Sequence, residues 1–101
     1  MYRDNFRKNL IKTWVFDDCR VFEMLVKEES LPHFFVEVRR MGRVGVQEVA
    51  PTSMDNLEMM ESDLGWMGSP MNKDGAISPL GVWVDVNGKR VSEENMEWWI
   101  E

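Results

Sequence analysis

The chain of 101 residues contains one cysteine, Cys19, and one histidine, His33. A lone cysteine cannot close an internal disulfide, which points to a reducing compartment. One His and one Cys also fall short of any zinc ligand set. The acidic turn "DVNG" lacks the remaining ligands of a calcium loop. Neither a metal nor a cofactor is expected. Long apolar runs are missing too, since every uncharged stretch is far shorter than the ~20 residues of a membrane span. The N-terminal segment carries Arg3, Asp4, Arg7, Lys8 and Lys12 with no signal-like apolar core after them. The expectation is a cytoplasmic protein that does not engage a membrane. No glycine-rich nucleotide cradle, internal repeat or low-complexity tract is present.

Positive charge is scarce in the second half. Residues 1–50 hold nine Lys/Arg against eight Asp/Glu, a balance of +1, whereas residues 51–101 hold three against ten, a balance of −7. An overall charge of −6 disfavours direct nucleic-acid binding, because phosphate contacts need cations in quantity. What the chain has in abundance is bulk: 44% hydrophobic residues, five Trp and five Phe, enough for one core in a single domain spanning 1–101.

The spacing predicts an α+β domain, in the order α-β-β-β-α-β-α. It is built on an antiparallel sheet of four to five strands with two hairpins and two to three short helices. Asp4 to Lys12 reads as a short helix with Phe6 and Leu10 on one side. From Thr13 the composition turns to strand: "TWVF", a turn at Asp17–Asp18, then "CRVFEMLV". "FFVEVRR" and "RVGVQEV" form the clearest hairpin, with Gly42 free to take a positive φ between them. Phe34, Val36 and Val38 are placed inward, and Phe35, Glu37 and Arg39 outward. After Pro51 a helix starts at Thr52 or Ser53 and ends near Gly65, with Met54, Leu57, Met60 and Leu64 as its core stripe. Residues 65–81 read as a long loop. "VWVDVNGKRV" reads as a second hairpin around Asn87–Gly88. Ser92 can cap a terminal helix, or "EWWI" can end the chain as a strand.

Few groups could carry chemistry. Cys19 and His33 could pair across neighbouring strands, but a free cysteine is more often a small buried apolar residue. Asp17–Asp18 and Glu28–Glu29 read as solvated turns. "GRVG" matches a G-x-x-G loop of RNA binders, yet its flanks here are strands, so a hairpin fits better. No catalytic residue emerges, and the chain is read as not an enzyme. Arg39, Arg40 and Arg43 cluster at the hairpin tip, where they either grip an anion or guard a sheet edge.

The segment Met54–Met71 holds five of nine methionines, Trp66 and four acids, without a Lys or Arg. Met59, Trp66, Met67 and Met71 fall off the core stripe, beside Glu58, Glu61 and Asp63. Methionine moulds to varied surfaces, tryptophan anchors interfaces, and acids steer basic partners. The opposing reading folds this loop back, with Trp66 as a core plug. The contact reading makes the chain a small acidic macromolecule-binding protein. It would act as an inhibitor or immunity-like factor blocking another protein, such as a basic nucleic-acid-handling enzyme. Its alternative is a subunit or adaptor of a homo-oligomeric assembly, with a small-ligand-binding or catalytic domain behind it.

Overall fold

The computed structural model describes residues 9–67 and 77–101. Five strands pair in chain order into one antiparallel sheet: β1 (Leu10–Val15), β2 (Arg20–Met24), β3 (His33–Arg40), β4 (Arg43–Val49) and β5 (Glu97–Ile100). One helix, α1 (Met54–Met67), and a 3-10 turn at Glu93–Asn95 complete the described regular structure. Two to three helices were expected, more than the described residues contain. Leu10–Lys12 belongs to β1 rather than to a helix, and Asp4–Lys8 lies outside the described residues. Among the described residues no helix is long and apolar enough to cross a membrane.

The central hairpin forms as its sequence dictates. Met41 and Gly42 both take positive φ, 50° and 77°, giving the two-residue turn whose twist matches the flanking strands. Alternation on β3 sends Phe34, Val36 and Val38 to one face. There they meet Val21 and Val49 of the sheet, Leu57, Leu64 and Met67 of α1, and Trp83, Val91 and Met96. The opposite face is not solvated as the alternation suggested. Phe22, Met24, Phe35, Val44 and Val46 form a second buried cluster, with Val26 and Trp99 packed on it. Glu37 is buried on that face as well, and its carboxylate accepts from Arg20 Nη2 at 3.1 Å and Arg39 Nε at 3.2 Å. Burying such a charge is tolerable only with this compensation.

The C-terminal region departs most from the helical expectation. Ser92 starts a single 3-10 turn, after which "EWWI" joins β4 as β5. The register sets Trp98 opposite Gly45, so the indole lies where a side chain would be. Arg43 covers the ring with its guanidinium 5.0 Å from the centroid. The segment Val82–Val91 does turn back on itself, but outside the sheet, through one bridge between Val84 and Arg90. Its loop is three residues rather than two. Gly88 N–H donates to Asp85 C=O at 3.0 Å, and the Asp85 carboxylate accepts from Asn87 N–H and Lys89 N–H, both at 2.9 Å.

A Cβ added at Gly45 would stand 2.9 Å from three Trp98 ring atoms. Gly45→Ala should therefore destabilise the fold by about 1–3 kcal/mol. In a Trp98→Ala background the same change should be close to neutral. Denaturant unfolding of the four proteins measures this, and an equal cost in both backgrounds would reject the stacked pair.

Candidate functional site

Ser53 caps α1: its Oγ accepts from Asn56 N–H at 3.2 Å, and Leu57 N–H makes the first helical bond to Ser53 C=O at 3.0 Å. Thr52, the other candidate cap, bonds the Asn56 side-chain amide instead. The helix continues past Gly65 to Met67. At 100° per residue its buried stripe is Leu57, Met60, Leu64 and Met67, with Met60 half-buried. Two assignments from the sequence therefore change. Met54 is exposed rather than core, and Met67, at 5% exposure, is core rather than contact. Met67 points 100° beyond Trp66, far enough round to reach the sheet.

The outer face carries the rest. Met59 and Trp66 are 56% and 59% exposed and sit seven residues apart, two turns or ~10 Å along one line of the helix. Asp55 and Asp63 flank Met59 at i−4 and i+4, and Glu58 lies beside them, all exposed. No Lys or Arg lies on α1. The helix thus presents two soft apolar groups in an uncompensated negative field. Glu61 departs from this face, turning towards the sheet and Glu23. Met71 lies outside the described residues.

Glu23 is buried on the α1 side of β2, opposite Lys12 on β1 and Phe34 on β3. Among the described residues its Oε1 has no hydrogen-bond partner. Burial, and after it the Glu61 charge, push its carboxyl up to about 7, while Lys12 pulls the other way. Sequence alone gave no sign of this acid, because Glu23 alternates with apolar neighbours as any solvated strand residue would.

The other candidate groups are engaged within the fold. Arg39 pairs with Glu37 and Glu101, Arg40 Nε meets Glu93 at 3.1 Å, and Arg43 covers Trp98. The hairpin tip is thus tied to β5 and its approach. Cys19 and His33 stand at opposite ends of β2, ~16 Å apart by strand rise, and cannot form a nucleophile pair. Burial, then the Asp18 charge, push the Cys19 thiol up to about 12, where it is inert. His33 is held between Glu29, at 2.5 Å from Nε2, and Glu48 at Nδ1. Among the described residues no group of three His, Cys, Asp or Glu side chains is placed to hold a metal.

Beside the exposed helix face runs a groove of about 450 Å³. Met59, Met60 and Asp63 form its helical side, and Val82, Val84 and Val86 the other. These valines are exposed while Trp83 between them is buried. The chain matches no family model, no curated protein and no solved structure. The groove was not foreseen from the sequence. Its signal lay in the alternation of Val82, Val84 and Val86 with Trp83, which sets the valines apart from the tryptophan but does not tell which side meets the core.

Glu23 makes stability depend on pH in a definite direction. Below about pH 4.5 it is protonated whether the chain is folded or not. Between 4.5 and about 7 the unfolded chain releases a proton that the folded chain keeps, so stability falls as pH rises. Glu23→Gln should match the parent near pH 4 and exceed it at pH 8 by on the order of 2–3 kcal/mol. Urea midpoints across pH 4–8 test this, and parallel curves for the two proteins would contradict it.

Proposed function

We propose that this chain is a small acidic binding protein that acts as an inhibitor or immunity-like factor, contacting a basic partner protein through the outer face of α1. The observation that carries this reading is the exposure of Met59 and Trp66 in one line among Asp55, Glu58 and Asp63. Large soft side chains at the centre of such a face supply contact area, and the acids accelerate encounter with a cationic surface. A site built for phosphates, as on a nucleic-acid-handling enzyme, offers the complementary potential.

Affinity capture with the immobilised chain should retain a basic protein whose activity falls on one-to-one addition. Glu58→Lys combined with Asp63→Lys should slow association about tenfold or more at low ionic strength, with the gap closing in high salt. Trp66→Ala should speed dissociation by about tenfold or more. Unchanged rate constants in both variants would remove α1 from the contact.

A second reading, a homo-oligomeric subunit, draws on the outer edge of β1. Val15 is 72% exposed there, and Ile11, four residues earlier on the strand, is exposed as well. Against it stand Lys12 and the register shift between Leu10 and Lys12, both of which discourage edge pairing. Sedimentation over a wide concentration range decides: this reading requires a self-associated species that Val15→Lys dissolves.

A further inference from the structure

On the non-helical wall of the groove, Val84 stands between the turns at Val82 and Val86 and makes a single bridge. Val84 faces Arg90 across the hairpin, and the bonds of that bridge belong to the flanking residues: Val91 N–H to Trp83 C=O and Asp85 N–H to Lys89 C=O, both at 2.8 Å. In this antiparallel geometry the N–H and C=O of Val84 itself turn to the opposite edge. The groove is lined by Val82–Val86, α1 and the Val49–Thr52 segment before it, and by nothing from Lys89–Val91, so it lies on the side of Val84 away from Arg90. Val84 is 51% exposed, and Val82 and Val86, also exposed, line the groove with it.

Charge selects the occupant. Asp63 stands on the helical wall and Asp85 on the other, while among the described residues no Lys or Arg lines the groove. Exposed Asp55 and Glu58 extend the same sign along α1. An acidic segment would meet repulsion on both walls, and a purely apolar one would leave the Asp63 carboxylate unmatched.

We infer that the groove between α1 and the Val82–Val86 arm receives an extended segment of the partner protein in which Lys or Arg alternates with apolar residues, added as a strand along Val84. Main-chain bonds to Val84 supply the docking, and alternate side chains fill the space between the valines and Met59. The cationic side chains reach Asp63 and Asp85. This assignment rests on the proposed contact role of α1 and narrows it to a strand-adding partner.

The probe is a blocked ten-residue peptide of alternating Lys and Val, titrated into the full chain and followed by amide NMR. Saturable shifts should centre on Val82–Val86, Met59 and Asp63, and hydrogen exchange at the Val84 amide should slow at least tenfold. Val84→Pro, which removes the donor, and Val84→Lys, which adds repulsion, should each weaken binding at least tenfold, with unfolding midpoints checked in parallel. Equal binding of a ten-residue polylysine, an unprotected Val84 amide, or indifference to both substitutions would overturn the inference. A dimer of the pure chain that Val84→Lys dissociates would also overturn it, by assigning the groove to a second copy. Shifts confined to Asp55, Glu58 and Trp66 would sink the groove while sparing the α1 contact. Peptide binding in the groove, with captured partners indifferent to Glu58→Lys and Trp66→Ala, would sink the α1 contact alone.

Discussion

Phe34 is where the separate parts of the molecule are joined. Its side chain is fully buried at the middle of the sheet, opposite Glu23 on β2 and Val49 on β4. Its ring meets Trp83 edge-on at a centroid separation of 5.4 Å and Trp14 at 6.2 Å. Burial of one such ring contributes roughly 1.5–3 kcal/mol, and aromatic pairing adds to it. The pinning matters as much as the energy. Trp83 anchors the Val82–Val86 arm through Phe34, and with Trp83 turned inward its neighbours Val82 and Val84 are left outward. The groove beside α1 therefore follows from a core contact.

Much of the sheet was legible because alternation and turn chemistry agreed. Phe34, Val36 and Val38 alternate on β3, as Val44 and Val46 do on β4, and Gly42 between them supplies a positive φ for a tight turn. The ends of the chain were harder because two patterns overlapped. Leu10 and Ile11 continue a helical spacing from Phe6, yet "LIKTWV" pairs with β2, and pairing across a sheet leaves no trace in local spacing. At the other end Ser92, Glu93 and Glu94 form a sound helix start. The two tryptophans and Ile100 have a stronger strand preference, and β4 offers Gly45 as a bed for Trp98. A glycine read only as a turn or bulge residue was thus the signal for a cross-strand partner.

The candidate surface was legible in composition but not in phase. The run of methionines pointed to α1, and the stripe through Met54 shares Leu57, Met60 and Leu64 with the one the helix buries, turned from it by only about a tenth of a turn. Rotating it places Met67 inside and frees Met54, leaving Met59 and Trp66 as the exposed pair. The acids divide by the same rotation. Asp55, Glu58 and Asp63 face outward, and Glu61 faces a carboxyl whose burial no local pattern announces. Charge counting gave the sign of the surface, and only the fold separated the acids that make a field from those that strain the interior.

The place of β5 has a consequence for how the chain folds. Roughly fifty residues separate Val49 from Glu97, so closing β4 against β5 costs far more loop entropy than any of the three preceding hairpin-like pairings. Local pairings of low contact order form first, and the β4–β5 pairing comes late. Until it does, the outer edge of β4, with Val44 and Val46 beside it, stays open to any other strand at hand. The Arg39–Glu101 and Arg40–Glu93 pairs lie across the seam that covers this edge, joining the hairpin tip to β5 and the turn before it.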